Sequence, residues 1–364
     1  MSEEELREQI ARIEPLNEEA TAAARKRQAI LAKPPGSLGQ LEEISVRLAG
    51  ITGKVCNRVE ARRILVFCAD NGVVAEQVSC TPQSVTAVQA VQMTKRMTGM
   101  SCMAKAFGDD VQVIDVGIAT PYSCAEIFDR KIALGTKNLA LEPAMTREQA
   151  VRAILIGISF ARTAKEDGIR LLGVGEMGIG NTTTSAAVLA ALTGTDAEAV
   201  TGRGGGLTDA AFRKKIEIVR SALRREKPDP HDPIDVLTKV GGFDLAAMCG
   251  AFLGAALYRL PIVIDGFISV VAALCAARLC PKAAEFFFPS HASFEQGYQL
   301  AIDALGLQPW LLLGMRLGEG SGCPLAFRII EAACTVMNDM ETFDDAKIDD
   351  GYLDEIRKGD HFSV

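Results

Sequence analysis

The stretch that decides the fold is I-R-L-L-G-V-G-E-M-G-I-G-N-T-T-T, residues 169–184. Its apolar beginning, residues 169–174, is typical of a buried strand. The strand runs into a glycine-rich turn that carries Glu176, and a helix follows the turn. Free backbone N–H groups and the positive end of a helix together favour an anion. The stretch therefore predicts one strand–turn–helix unit with a binding site at the turn.

Similar apolar runs flank this unit along the chain. Helix-like segments separate them, among them a helix that opens with the capping box T-R-E-Q at residue 146. Strands that alternate with helices indicate an α/β fold with a parallel sheet. The further strands are predicted at residues 63–69, 111–116, 261–264, 286–289 and 311–315.

Composition narrows the class of protein. The 364 residues are 48% hydrophobic, which is enough for a large core, and the net charge is −7. An acidic chain does not favour nucleic-acid binding, which requires a basic patch. Residues 1–13 are acidic and do not resemble a signal peptide. The most apolar region, residues 245–280, is interrupted by charged residues, so we expect no membrane span.

Cysteine and histidine usage points to a reducing compartment. The chain has ten cysteines without a C-x-x-C pair, and it has three histidines. Several of the cysteines lie in apolar runs and resemble small buried hydrophobic residues. We therefore expect a cytoplasmic protein without a metal site.

A second glycine-rich stretch, L-L-L-G-M-R-L-G-E-G-S-G at residues 311–322, is the one around which we expect the chain to be organised. Its apolar half predicts a buried strand. Glycines surround Glu319, so a ligand could approach this carboxylate closely, as a general base requires. An ordinary strand-to-helix turn, with the acid at the helix start, explains the pattern equally well.

Four acids follow predicted strand ends: Asp70, Glu176, Asp265 and Glu319. The carboxyl ends of parallel strands meet at one edge of the sheet, where ligands bind in α/β proteins. Cationic residues such as Lys215 and Arg316 could hold a phosphate there, and the acids could hold sugar hydroxyls or a ring nitrogen. The pattern indicates a site for a phosphorylated sugar.

Eight collinear motifs resemble one family, nicotinate-nucleotide–dimethylbenzimidazole phosphoribosyltransferase. The resemblance implies a Rossmann-like parallel sheet flanked by helices, and a dimer. It also implies a small helical domain (residues 1–60 plus 330–364) beside a large α/β catalytic domain (residues 61–329). The motifs are K-P-P-G-S-L-G (33–39), D-x-G-V-V (70–74), T-P-Q-S-V-T (81–86), G-E-M-G-I-G-N-T-T (175–183), G-R-G-G-G-L-T-D (202–209), G-G-F-D-L-A-A-M (241–248), D-G-F-I-S (265–269) and R-L-G-E-G-S-G (316–322).

The same resemblance implies a reaction. The enzyme would move the ribose 5-phosphate of nicotinate mononucleotide to an aromatic base, 5,6-dimethylbenzimidazole or a related ring. The products would be an α-ribazole phosphate and nicotinate, and the reaction would serve assembly of the cobamide nucleotide loop. The family uses no metal or other cofactor.

Roles carry over by matching motif. Glu319 resembles the catalytic base, and Glu176 is similar to a second acid of the nucleotide site. The positions that match phosphate and ribose contacts are Gly178, Lys215, Asp265, Ser293 and Arg316. The positions that match the pocket for the aromatic base are Pro82, Ser84, Gln92, Met177 and Leu317.

Two motifs depart from the family pattern and leave the accepted base open. The chain has A-D-N-G at residues 69–72, where the family commonly has G-D-H-G, and S-H-A-S at residues 290–293, where it commonly has S-H-Q-S. Benzimidazoles, purines and phenols all remain candidates. Some relatives act as pairs of paralogous subunits on phenols, so a heterodimer stands beside a homodimer. A nucleotide N-glycosidase, with water as acceptor, and a weakly catalytic supporting subunit are further alternatives.

Overall fold

A computed structural model describes residues 2–353 of the chain. In this part of the chain, six parallel strands form one sheet in the order β3-β2-β1-β4-β5-β6. The strands are β1 (Arg62–Ala69), β2 (Asp110–Gly117), β3 (Phe128–Asp129), β4 (Leu171–Met177), β5 (Ile262–Ile264) and β6 (Phe287–Pro289).

Helices connect the strands and cover the sheet. They are α1 (Glu3–Ala11), α2 (Glu18–Ile30), α3 (Gln40–Thr52), α4 (Val85–Thr94), α5 (Gly99–Phe107), α6 (Arg147–Glu166), α7 (Asn181–Thr193), α8 (Ala197–Val200), α9 (Asp209–Glu226), α10 (Pro233–Val240), α11 (Phe243–Leu257), α12 (Phe267–Leu279), α13 (Tyr298–Ala304) and α14 (Cys323–Asp339). An α/β fold with a parallel sheet is confirmed. No described helix is long and apolar enough to cross a membrane.

The strand order reverses between β1 and β4, and this reversal positions the binding site. The chain first builds outward from β1 through β2 to β3. It then returns to the other side of β1 with β4 and continues to β5 and β6. A crevice forms at the carboxyl ends of the strands at such a switch point, because the connecting segments diverge there.

Most predicted strands agree with the structure to within two residues at their starts. The strand predicted at residues 169–174 is longer than expected, since β4 continues through Glu176 to Met177. Glu176 is therefore a strand residue rather than a turn residue. The predicted capping box is confirmed, because Thr146 and Gln149 exchange hydrogen bonds at the start of α6.

The strand predicted at residues 311–315 is wrong. Only Leu311 forms a bridge, to His291 beside the end of β6. The next two leucines, Leu312 and Leu313, are exposed. Gly314 has a φ of +64°, in the left-handed region, which ends an extended conformation. An apolar run therefore lies on the surface here rather than in the core.

Helices from both ends of the chain pack together beside the sheet. A separate apolar cluster joins α2, α3 and α14 through Ala24, Val46, Ala49 and Met337. In contrast, α1 packs against α6 and α11 of the main body. Residues 354–364 of the predicted small domain lie outside the described residues.

Candidate active site

A cleft of about 310 Å³ opens at the carboxyl edge of the sheet. The end of β4, the residues after β5 and the starts of α7 and α12 form its inner wall. The glycine loops at residues 203–205 and 316–319 form its sides. The structure brings eight of the twelve predicted site residues to this cleft: Glu176, Met177, Gly178, Asp265, Ser293, Arg316, Leu317 and Glu319.

Glu319 lies in a tight loop with an unusual backbone. Three successive residues, Gly318, Glu319 and Gly320, have positive φ values of +84°, +63° and +90°. A non-glycine residue with positive φ is uncommon in proteins as a whole. Such residues cluster at functional sites. Oε2 of Glu319 accepts the N–H of Met100 at 3.1 Å, at the start of α5, where a carboxylate is stabilised. Oε1 makes no hydrogen bond within residues 2–353.

Glu176 holds the same loop from the sheet. Its Oε1 accepts the backbone N–H of Glu319 at 3.2 Å, and its Oε2 accepts the Asn181 amide. Asn181 also donates to Asp244 at 3.1 Å, so one amide links two buried carboxyl groups. Burial raises the pKa of Glu176 to about 8 and that of Asp244 to about 6.

Asp265 is the second acid that holds the Glu319 loop. Its two carboxylate oxygens accept the N–H groups of Gly320 and Gly322 at 3.0 and 2.6 Å. Burial raises the pKa of Asp265 to about 7. Asp265 also lines the cleft.

The start of α7 offers a site for an anion on one side of the cleft. Gly178, Gly180 and Thr182 line the cleft there. Gly178 has no room for a side chain, because a Cβ would lie 2.4 Å from the Ala69 carbonyl oxygen. Backbone N–H groups at the start of a helix bind phosphate well. Arg316 and Ser293 line the cleft as well.

Lys215 lies behind this wall and does not line the cleft. It is fully buried, and its Nζ donates to Thr182 Oγ1 at 2.8 Å and to the Gly202 carbonyl at 2.9 Å. Burial lowers the pKa of Lys215 to about 8. Lys215 therefore acts on the cleft indirectly, because it orients the Thr182 hydroxyl.

The predicted residues for the aromatic base divide into two groups. Met177 and Leu317 line the cleft, whereas Pro82 and Ser84 are exposed near the start of α4 and do not line it. Gln92 is not a lining residue either. It lies on the same face of α4 as Gln89, which does line the cleft, because their spacing of three residues is near one helical turn.

Several lining residues were not predicted from the sequence, among them Gln89, Asn181, Thr182, Arg203 and Gly266. Asn181 and Thr182 stand in the motif at residues 175–183, and Arg203 stands in the motif at residues 202–209. Gln89 lies four residues after Val85, another lining residue, and helical spacing could have found it.

Of the four acids at predicted strand ends, Asp70 is not at the cleft. Asp70 is buried and accepts the N–H of Ala119 at 2.8 Å, so it has a structural role. Within residues 2–353, no group of three or more His, Cys, Asp or Glu side chains is arranged to hold a metal ion.

Comparison with known proteins points to one family. A family profile described as "Phosphoribosyltransferase" matches residues 13–348. The chain is 50% identical over 359 residues to the nicotinate-nucleotide–dimethylbenzimidazole phosphoribosyltransferase of Clostridium perfringens, covering 99% of both chains. The equally named protein of Ruminiclostridium cellulolyticum is 50% identical over 342 residues, covering 94% of this chain and 97% of the relative. The crystal structure of CobT from Thermus thermophilus is similar with a TM-score of 0.88 and 41% identity, covering 92% of this chain and all of that one.

Proposed function

The chain belongs to the nicotinate-nucleotide–dimethylbenzimidazole phosphoribosyltransferase family, and from this premise we propose its substrates and the roles of its residues. The chain transfers the ribose 5-phosphate of nicotinate mononucleotide to 5,6-dimethylbenzimidazole or a related aromatic base. The products are an α-ribazole phosphate and nicotinate, and the reaction serves the cobamide nucleotide loop. The observation that carries the proposal is a glutamate with one unbonded oxygen in the cleft that also contains a helix start suited to phosphate.

Glu319 is the general base of this reaction. The acceptor ring gives its N–H proton to Oε1 of Glu319, while Met100 holds Oε2 in place. The ring nitrogen forms a bond to the anomeric carbon as the bond to nicotinate breaks, and the bonding electrons neutralise the pyridinium. Attack on the face opposite nicotinate converts a β linkage into an α linkage. Base catalysis supplies about 10²–10⁴-fold, and alignment of the two substrates adds to it.

The phosphate binds at the start of α7. Backbone N–H groups and the Thr182 hydroxyl face the anion, and Lys215 adds positive charge from behind Thr182. Arg316 and Ser293 also line the cleft and could contact the phosphate. Asp265 contacts the ribose between the phosphate and Glu319. Glu176 is the second acid, and it acts by holding the Glu319 backbone.

The aromatic base binds against Met177 and Leu317. Val85 and Gln89 of α4 line the cleft, and we propose that Pro82, Ser84 and Gln92, which lie outside the lining, extend the pocket from the same helix and the segment before it. A Ser84→Phe substitution should selectively exclude bulky benzimidazoles and leave binding of the mononucleotide intact. An unchanged preference across a panel of bases would show that this part of α4 does not contact the acceptor.

A second subunit, either another copy of this chain or a paralogue, covers the cleft mouth. Four large apolar residues are exposed beside it: Phe294, Leu312, Leu313 and Leu317, with exposed fractions of 72%, 83%, 57% and 56%. An exposed apolar patch of this kind usually marks an interface. The Phe294 N–H and the Met315 carbonyl hold the two segments together at 3.0 Å, so the patch is one surface. Light scattering should show a dimer that Leu312→Glu dissociates.

The proposed small helical domain is supported for α2, α3 and α14, which share a separate apolar cluster, whereas α1 packs against α6 and α11 of the large domain. We place the enzyme in a reducing, cytoplasmic compartment, in keeping with ten cysteines that are all free thiols.

Product analysis tests the proposal. The protein is incubated with nicotinate mononucleotide and a panel of benzimidazoles, purines and phenols, and the products are identified by mass. We expect an α-linked nucleotide with at least one benzimidazole. Release of ribose 5-phosphate that does not depend on the acceptor would instead indicate a nucleotide hydrolase. Activity only after addition of a paralogue would indicate a heterodimer.

A further inference from the structure

His291 follows β6 and lies between the starts of two helices. Its side chain is 1% exposed. A Cβ on Gly322, before α14, would lie 2.4 Å from its Nδ1. A Cβ on Gly266, before α12, would lie 3.7 Å from its Nε2. One ring nitrogen therefore faces each helix start.

The hydrogen bonds assign the tautomer of the ring. Ser290 Oγ donates its one hydrogen to the Asp265 carbonyl oxygen at 3.0 Å. The same Oγ lies 3.2 Å from His291 Nδ1, so Nδ1 must be the donor in that bond. Burial lowers the pKa of His291 to about 4, so the ring is neutral near pH 7. Nε2 consequently carries no hydrogen and can only accept.

Nε2 is a buried acceptor that faces the cleft wall. It has no hydrogen-bond partner among the described residues. Gly266 and Ser293 both line the cleft, and a Cβ on Gly266 would lie 3.6 Å from Ser293 Oγ and 3.7 Å from Nε2. The space that a side chain on Gly266 would fill contains no heavy atom closer than 3.6 Å. A small donor group in the cleft could thus approach Nε2 past Gly266.

We propose that His291 binds the sugar of the nucleotide, with Nε2 accepting a hydrogen bond from a ribose hydroxyl. A phosphate dianion or a carboxylate cannot satisfy this atom, because neither has a hydrogen to donate. His291 lies beside Asp265, with Nδ1 3.8 Å from Asp265 Oδ1, and Asp265 lines the cleft where the sugar is proposed to bind. This assignment rests on the proposed function, since it takes the substrate to be a ribonucleotide.

Four variants of the full-length protein separate the role of Nε2 from the structural role of the ring. His291→Asn keeps an amide near Nδ1 that can donate to Ser290, and it removes the acceptor at Nε2. His291→Gln presents an amide oxygen near the Nε2 position. Gly266→Ala places a methyl group between Nε2 and the cleft at ordinary contact distances. Tyr298→Phe is the control, because it removes another buried hydroxyl without a partner in the described part of the chain.

The measurement is kcat/KM for nicotinate mononucleotide and for its 2′-deoxy and 3′-deoxy analogues. The wild type should prefer the ribonucleotide to one of the analogues by roughly three- to tenfold, the typical effect of one neutral hydrogen bond. His291→Asn and Gly266→Ala should each remove this preference by slowing the ribonucleotide alone. His291→Gln should keep part of it, and Tyr298→Phe should keep all of it.

Two results would overturn the assignment. A wild type that does not discriminate among the three donors shows that neither hydroxyl is bound. An unchanged preference in Gly266→Ala and His291→Asn shows that another group binds the hydroxyl. In both cases turnover with the ribonucleotide persists, so the proposed function stands. A wild type without turnover and without calorimetric binding of nicotinate mononucleotide overturns the proposed function and this assignment together.

Discussion

Glu176 and Glu319 line the same cleft and look alike in sequence, since each follows a glycine in a glycine-rich stretch, yet their surroundings differ. Glu176 lies on a strand, and both of its oxygens accept hydrogen bonds from the protein. Glu319 lies in a loop with positive φ, and one of its oxygens makes no bond within residues 2–353. A carboxylate with both oxygens occupied is suited to hold other groups in place. One with a free oxygen is suited to take a proton.

The largest expected effect comes from Glu319→Gln. The amide keeps the shape of the side chain and cannot take the acceptor proton. Turnover should fall by about 10²–10⁴-fold, while calorimetry should show nearly normal binding of nicotinate mononucleotide. Near-normal turnover would reverse the comparison and make Glu176 the candidate base.

Gly318→Ala tests whether Glu176 acts through the loop. A Cβ on Gly318 would lie 2.3 Å from Glu176 Oε1, so it must displace the oxygen that accepts the Glu319 N–H. Because φ is +84°, the substitution also costs about 1–2 kcal/mol of stability. We expect turnover to fall by roughly tenfold, as for one hydrogen bond lost at the reacting group.

The matched control for this substitution is Gly314→Ala. Gly314 also has a positive φ, +64°, but a Cβ there would meet no atom within 4 Å. Thermal unfolding should show the cost of positive φ in both variants and a larger loss in Gly318→Ala, which also displaces Glu176. Steady-state kinetics should show normal turnover in Gly314→Ala. Equal losses of turnover in Gly318→Ala and Gly314→Ala would mean that backbone strain in the loop causes the defect. The contact between Glu176 and the Glu319 loop would then not be needed for turnover.

The phosphate side gives a smaller effect, on binding rather than on turnover. Lys215→Met removes the buried charge and the bond to Thr182, so binding of the mononucleotide should weaken by about tenfold. Binding of the free aromatic base should not change. Lys214→Met, at the exposed neighbouring position, is the control and should bind normally. Normal binding by Lys215→Met, measured by calorimetry, would place the phosphate elsewhere.

The smallest effect is on stability as pH changes. Burial raises the pKa values of Glu176, Asp265 and Asp244 to about 8, 7 and 6 in the folded protein. These three groups therefore bind more protons in the folded state than in the unfolded state between roughly pH 4 and 8. The lowered pKa of His291 opposes this below about pH 6.5, but three groups outweigh one, so stability should fall as pH rises. We expect the unfolding temperature to drop by roughly 5 °C from pH 5.5 to pH 8.5.

Asp244→Asn removes one of the three groups, so its unfolding temperature should depend less steeply on pH. A wild type that becomes more stable as pH rises would show that these acids are ionised in the folded protein. That result would also remove the contrast between a buried, proton-binding Glu176 and the base Glu319.

Much of the fold could be predicted, because the spacing of apolar residues and the alternation of strands with helices are local properties of the chain. The strands that become β1, β2, β4, β5 and β6 were all identified, and Glu176 and Glu319 were singled out from their glycines. The two-residue β3 was missed, since two residues carry no periodicity. Leu312 and Leu313 were misplaced in the core, because an apolar run on a surface looks the same in sequence as one in a sheet.

The acidic residues of the site could be predicted from the sequence. Which of the other residues line the cleft and which lie behind its wall could not. Sequence spacing does not say whether Lys215 lines the cleft or lies behind Thr182. The position of Lys215 depends on the conformation of the loop at residues 202–206, which helical periodicity cannot predict. The tautomer of His291 depends on the Asp265 carbonyl, which is 26 residues away in sequence and becomes a neighbour only in the fold.

The central claim, that Glu319 takes the acceptor proton and Glu176 only positions it, is tested most directly by acceptors of graded acidity. Turnover of the wild type, Glu319→Gln and Glu176→Gln is measured with a series of substituted benzimidazoles whose N–H acidity increases stepwise. The defect of Glu319→Gln should shrink as the N–H becomes more acidic, because less base assistance is needed, and that of Glu176→Gln should stay constant. A defect that shrinks in Glu176→Gln and stays constant in Glu319→Gln would contradict the account.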